Sequence, residues 1–206
     1  MDPKKPSPAP PSPVPEDTRA DSILIEKVLR GDTDAFQPLM EKYQQRIFGY
    51  LYRLLGKDVD QAQDLTQAVF LKAYQHLGGY DPSRPLLPWL YRIAHNEAAN
   101  FLRSRGRKPL FPLEPETGDR LSDDSRESPE GLLGKRQTLE AVRRALQSLK
   151  PKYREALLLH YQEEQSYEEI STILGKNIST VGTLIRRGRQ ALEKELVRMG
   201  ILTEDP

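Results

Sequence analysis

The segment Ser166–Leu192, SYEEISTILGKNISTVGTLIRRGRQAL, constrains the fold of this chain more than any other. Ser166 with Glu169 three residues later is a capping box that starts a short helix, Tyr167 to Leu174, with Ile170, Ile173 and Leu174 on one apolar face. Gly175 can take the left-handed conformation that stops it, and Lys176-Asn177-Ile178 is a tight polar connection. Ser179 reads as the N-cap of a second helix whose inward face is Val181, Ile185, Gly188 and Leu192. Two helices joined by a short Gly-containing turn form a helix-turn-helix pattern. The outward face carries Thr180, Thr183, Arg186, Arg187 and Gln190, with Arg189 on its flank. Hydroxyls near a helix start and arginines further on can reach phosphates and base edges in a major groove. The alternative is an amphipathic hairpin with a solvated basic face, and the pattern favours DNA.

Composition bounds the remaining options. A length of 206 residues suits one or two small domains, and 37% hydrophobic with 30% charged residues suits modest helical cores. No apolar run approaches the ~18 residues that span a bilayer, and the N-terminus lacks an apolar signal core. The chain has no cysteine, which excludes disulfides and thiolate metal sites within it. His76, His95 and His160 fall on different helices without metal-ligand spacing, and no Gly-rich phosphate loop is present, so neither a metal, a cofactor nor an enzyme is expected. The net charge of +1 is uninformative until it is divided along the chain, where arginines and acids cluster separately.

Residues 1–18 are proline-rich with almost no apolar content and read as a disordered tail. A first helix is expected over Ser22–Arg30, ending at Gly31. A long one follows from about Asp34 to Leu55, with Phe36, Leu39, Met40, Tyr43, Ile47, Tyr50, Leu51 and Leu54 at helical steps. Asp58 can cap a third, whose stripe is Val59, Ala62, Leu65, Val69, Ala73 and Leu77. Asp60, Gln61, Asp64, Gln67 and Lys72 lie on its other faces, which residue types alone call a polar ridge. After a stiff loop from Asp81 to Pro88, Trp89 opens a helix with Leu90, Ile93, Ala94 and Phe101 inward. Arg92, Asn96, Asn100 and Arg103 share another face, and Arg105, Arg107 and Lys108 extend the positive charge. That face suits nucleic acid or plain solvent about equally.

Residues 111–132 are rich in Pro, Ser, Asp and Glu, lack periodicity, and read as a flexible acidic linker. Beyond it a helix from about Leu132 to Leu149, and another opened by Pro151 with Tyr153, Ala156, Leu157, Leu158 and Tyr161 inward, complete a four-helix domain with the helix-turn-helix. With no strand pattern anywhere, the fold class is all-α. It comprises two small helical domains, 19–110 and 133–206, in a loose arrangement set by the linker.

DLTQAVFLKAYQHL followed by RPLLPWLYRIAHNEAANFLRSRGRK resembles the second conserved region of extracytoplasmic-function sigma factors. LKPKYREALLLHYQEEQSYEEISTILGKNISTVGTLIRRGRQALEKEL resembles their fourth region. The resemblance covers residues 21–109 and 133–197 in the family's order. It implies that Asp60, Gln61, Asp64, Leu65, Gln67 and Phe70 meet the β′ clamp of core RNA polymerase, whose β flap is the other contact. It implies that Arg84, Arg92, Asn96, Asn100, Arg103 and Arg105 serve −10 recognition and melting. Ser179, Thr180, Gly182, Thr183, Arg186, Arg187 and Arg189 would serve −35 recognition. The linker would thread toward the RNA exit path, promoter DNA is the implied ligand, and many members take an anti-sigma partner. Trp89 reads as a core tryptophan and not a melting wedge. The chain departs from the family at Gly182 and Leu184, where basic residues are frequent, at Gly188 for alanine, and at Ala68 for glutamate. The competing reading is a stand-alone helix-turn-helix regulator.

Overall fold

The computed structural model describes residues 16–104 and 129–203. The 1–15 part of the Pro-rich segment, the stretch 105–128 with Arg105, and the last three residues lie outside the described residues. All described elements are helical: α1 (Glu16–Leu29), a 3-10 turn (Thr33–Ala35), α2 (Phe36–Leu54), α3 (Val59–His76) and α4 (Leu86–Ser104) form the first bundle. The second is α5 (Pro129–Ser148), α6 (Pro151–Leu157), a π-helical turn (Leu158–Gln162), α7 (Tyr167–Leu174) and α8 (Ile178–Arg198).

In the first bundle, α2 lays Leu39, Tyr43, Ile47, Tyr50, Leu51 and Leu54 against α3 and α4, as its periodicity predicts. The α3 stripe differs from expectation. Val59 is exposed and Leu65 half-buried, while Thr66 and Phe70 are buried. Thr66 tolerates the core because its hydroxyl donates to the Ala62 carbonyl at 2.6 Å. Helix α4 begins at Leu86, three residues before Trp89, because Pro88 then falls in the first turn, where a missing N–H costs nothing. Its buried residues are Leu86, Leu90, Tyr91, Ala94 and Ala98, with Trp89, Ile93 and Phe101 only half-buried. Trp89 packs its indole against Tyr80, ring centroids 5.1 Å apart.

Helix α1 starts at Glu16, well before the expected Ser22. The extra turn is held by polar contacts that periodicity does not register. Asp21 is buried and accepts from the Tyr43 hydroxyl at 2.5 Å and Lys42 Nζ at 2.8 Å.

In the second bundle the Ser166/Glu169 capping box is present, with reciprocal bonds of 3.2 and 2.8 Å. Gly175 stops α7 at φ 60°, in the left-handed region. The N-cap of α8 is Asn177 instead of Ser179: its side-chain oxygen accepts from the Thr180 amide at 2.8 Å and from the Ser179 hydroxyl at 3.0 Å. The inward side of α6 also departs from expectation. The π-helical turn adds one residue to the ladder, so Leu159 enters the core and Tyr161 leaves it, at 55% exposed.

Gly188 allows α8 to approach α6 closely. A Cβ there would sit 3.1 Å from Leu157 Cγ and 3.3 Å from the Tyr153 carbonyl oxygen, a backbone atom that cannot swing aside. At Gly182 a Cβ would meet only Tyr167 at 3.6 Å, an ordinary contact. The two glycines therefore respond oppositely to alanine. Gly182→Ala should raise stability by up to about 1 kcal/mol through helix propensity. Gly188→Ala should lose roughly 1 kcal/mol net, since overpacking of about 1–3 kcal/mol outweighs that gain. Urea unfolding of both variants, followed by circular dichroism, tests the signs.

Candidate functional site

Three exposed polar surfaces coincide with the positions singled out by sequence. On α3, Asp60, Asp64 and Gln67 are exposed, Gln61 and Leu65 half-buried. Asp58 fixes the start of the ridge by accepting from the Gln61 amide at 3.0 Å. Phe70 is buried at 5% exposure and supports the ridge from beneath. Beside it runs an apolar groove of about 330 Å³ between α2 and α3, lined by Phe36, Met40, Thr66, Phe70, Leu71 and Tyr74. Leu71 is 59% exposed at its rim.

The second surface is α4 with the loop before it. Asp81 accepts from the amide and hydroxyl of Ser83 at 3.0 and 2.7 Å and pairs with Arg84 at 3.2 Å. The Ser83 bonds hold its carboxyl below the usual carboxylate range. The Tyr80 hydroxyl donates to the Arg84 carbonyl, and Ser22 Oγ to that of Pro82 at 2.8 Å. The loop is thereby tied to α1 and presents Arg84 in a defined place. Along α4, Arg92, Asn96, Asn100 and Arg103 are all exposed on the predicted face. Arg103 donates to the Asn100 side chain at 2.5 Å, and Arg92 donates across to the Thr172 carbonyl of α7 at 2.8 Å. Arg105 falls outside the described residues.

The third surface is α8. Ser179, Arg186, Arg187 and Arg189 are exposed and Thr180, Gly182 and Thr183 half-buried. Leu184 is buried and lines an apolar cleft of about 180 Å³ that also borders Ala98 and Leu102 of α4.

That cleft belongs to an extensive contact between the bundles. Sequence reasoning expected them to be loosely arranged, whereas the structure packs α4 on α7 and α2 on α6 and the π-helical turn. Glu163, 3% exposed, receives the Arg53 guanidinium and the Tyr91 hydroxyl, with Arg46 Nε 3.9 Å away. Glu155 receives the Tyr50 hydroxyl and faces His95 Nδ1, both at 2.6 Å. Arg154 is buried and donates to the Leu146, Gln147 and Leu149 carbonyls of the second bundle and the Leu54 carbonyl of the first. Burial pulls its guanidinium down to about 10, still cationic at neutral pH. None of these partners is signalled locally, because Arg46 and Glu163 stand 117 residues apart. Among the described residues, no cluster of His, Cys, Asp or Glu could hold a metal ion, and no helix is long and apolar enough to cross a membrane.

A family model for sigma-70 region 2 matches residues 39–108, and one for sigma-70 region 4 matches residues 139–192. The chain is 38% identical over 182 residues to the RNA polymerase sigma-H factor of Pseudomonas aeruginosa, covering 85% of this chain and 93% of that one. It is 35% identical over 179 residues to the ECF RNA polymerase sigma factor SigW of Bacillus subtilis, covering 84% and 94%. The sigma factor RpoE of Bartonella quintana, solved with the anti-sigma factor NepR, shares the fold with a TM-score of 0.63 at 23% identity, covering 78% of this chain and 96% of that one. Two helical bundles, the second ending in a helix-turn-helix, thus define a sigma subunit of RNA polymerase. The chain belongs to the sigma-70 family, in its extracytoplasmic-function branch. It is an alternative sigma factor, which binds core RNA polymerase and promoter DNA and directs transcription initiation.

Four of the nine tyrosines report on the bundles and their contact. Burial, first of all, pushes Tyr43 up to about 12 and raises Tyr50, Tyr80 and Tyr91 further above the ordinary value. A raised folded-state value contributes stability that is complete below the unfolded value of about 10 and is lost as pH rises through the folded one. Alkaline titration followed by tyrosinate absorbance and circular dichroism tests this. Tyr43, Tyr50, Tyr80 and Tyr91 should ionise only together with loss of helical circular dichroism.

Proposed function

We propose that the ridge Asp60, Gln61, Asp64, Leu65 and Gln67 of α3, supported by Phe70, docks on the β′ clamp of core RNA polymerase. The adjoining groove at Leu71 and Tyr74 receives apolar side chains of the same partner. Arg84, Arg92, Asn96, Asn100 and Arg103, with Arg105 beyond them, read and hold the melted −10 strand: guanidiniums meet phosphate and asparagine amides meet base edges. Ser179, Thr180, Thr183, Arg186, Arg187 and Arg189 read the −35 element in the major groove, where Gly182 leaves room for close approach. The first unit is 19–110 and the second 133–206, the intervening residues passing toward the RNA exit path.

The observation that carries this reading is the coincidence of three exposed polar faces with the two matched sigma regions, each on a rigid helix. The protein acts by binding and positioning, with no covalent chemistry of its own, in the cytoplasm. Two weak DNA readers linked on one enzyme gain effective concentration, so neither needs high affinity alone. An anti-sigma protein is its expected inhibitor, as NepR is a bound partner of the Bartonella relative.

The test is promoter-dependent transcription in vitro with core polymerase and a genomic fragment library. New RNA starts sharing paired upstream motifs are expected. If the protein alone shifts particular duplexes while no new starts appear, it is an independent regulator. Asp64→Ala with Gln67→Ala should weaken core binding about tenfold, as two surface contacts near 0.7 kcal/mol each would. Arg186→Ala with Arg187→Ala should lower the salt dependence of −35 binding by roughly two ions.

A further inference from the structure

Helix α1 lies outside both matched sigma regions, the first of which begins at residue 39, and the proposed function makes no use of it. Yet α1 carries a buried carboxylate. Asp21 is 3% exposed and accepts from the Tyr43 hydroxyl and Lys42 Nζ of α2. A carboxylate taken out of water is costly unless its partners stay in place, so these two bonds fix both the position and the rotation of the helix that bears it. The next residue, Ser22, is thereby brought against the loop before α4, where it meets Pro82, 60 residues further along the chain.

We propose that α1 is a working part of the −10 reader: Ser22, together with Tyr80, is a positioning residue that holds the turn Asp81–Arg84 in one conformation and so sets where Arg84 meets the strand. The proposal rests on the assignment of Arg84 to the −10 element. The turn itself is closed by the Arg84 amide donating to the Asp81 carbonyl at 3.1 Å, with Pro82 at its second position. All four of its residues are exposed, so burial does little to order it. Two hydroxyls from outside the turn do so instead. Ser22 Oγ donates to the Pro82 carbonyl at 2.8 Å, and the Tyr80 hydroxyl donates to the Arg84 carbonyl. Tyr80 is 9% exposed and packs on Trp89, which ties its hydroxyl to the core. The cost of ordering the turn is then met in folding and not when the strand binds.

Ser22 is also placed to yield. Its hydroxyl has one hydrogen and two carbonyls within reach, that of Thr18 in its own helix at 2.7 Å and that of Pro82 at 2.8 Å. Rotating the hydroxyl passes the hydrogen from loop to helix without leaving the serine unpaired, and water takes over the exposed Pro82 carbonyl. The turn is thus held in place by a tie that gives way at little cost while a strand is seated. Helix stability does not account for this serine, because alanine is the better helix former. Ser22→Ala therefore favours α1 itself, and any loss it causes reports on the loop.

The chain contains no cysteine, so a nitroxide can be placed at Arg84→Cys alone, on an exposed residue whose backbone carbonyl, not its side chain, is tied to Tyr80. Continuous-wave electron paramagnetic resonance on the full chain should show an immobile label. Ser22→Ala and Tyr80→Phe should each sharpen the spectrum, and Ser22→Thr, which keeps the hydroxyl, should restore it. The unlabelled variants, bound to core polymerase, are then titrated with a single-stranded oligonucleotide carrying the −10 motif shared by the mapped RNA starts. Ser22→Ala and Tyr80→Phe should each weaken strand binding about fivefold, as loss of one hydrogen bond near 1 kcal/mol would, with core affinity unchanged. In an Arg84→Ala background Ser22→Ala should cost nothing more, whereas damage to the fold would add its own loss. A label as immobile in Ser22→Ala as in its parent, full strand affinity despite a mobile label, or additive losses overturn the proposal. If Arg84→Ala alone leaves strand affinity intact, the −10 assignment of Arg84 fails, and the spectra still decide by themselves whether α1 holds the turn.

Discussion

Every helix ends in carbonyls that no amide within the helix can reach, and two such ends meet here at one guanidinium. Arg154 serves the last turn of α5 and the last turn of α2 together, reaching the Leu54 carbonyl at 2.8 Å. A planar group with five donors suits that task, and a lysine, with three donors on one nitrogen, could not meet all four carbonyls. The position of α6 against both bundles follows from it, and with α6 the π-helical turn, Glu163 and the approach of α8 at Gly188 are set. One buried cation organises both the second core and its seam with the first.

Helix α8 is correspondingly less independent than the second helix of a helix-turn-helix viewed alone. Its outer arginines are solvated, but Gly188 seats it on α6 and Leu184 faces the first bundle. Two of the residues at which this chain departs from its family, Gly188 and Leu184, are therefore used for packing. Gly188 sets an interhelical distance, and Leu184 closes an apolar cleft where an arginine would have to be solvated.

Much of this was legible from residues alone where the determinant is local. The capping box at Ser166 and Glu169, the left-handed Gly175 and the α2 stripe are governed by neighbours within four positions. Errors arose where two local solutions compete. Asn177 and Ser179 both offer an oxygen at the start of α8, and the amide side chain wins by bonding both Thr180 and Ser179. Thr66 reads as polar until its hydroxyl bends back onto Ala62, and the extra turn of α1 depends on Asp21 finding Tyr43. The exposed faces of α3, α4 and α8 were visible as polar residues off the apolar stripes. The seam between bundles was not, because Glu163 with Arg46 and Glu155 with His95 are pairings between distant parts of the chain whose members look like ordinary surface charges.

The π-helical turn at Leu158–Gln162 has a consequence for how such a protein can diverge. A π turn is one residue more than an α-helix needs. Deleting a single residue there would restore a regular ladder, rotate the chain beyond it by about 100°, and carry the carboxylate of Glu163 away from Arg53 and Tyr91. One-codon insertions and deletions at this point are thus a genetic dial, retuning the contact between two bundles while leaving the exposed residues of α3, α4 and α8 unaltered.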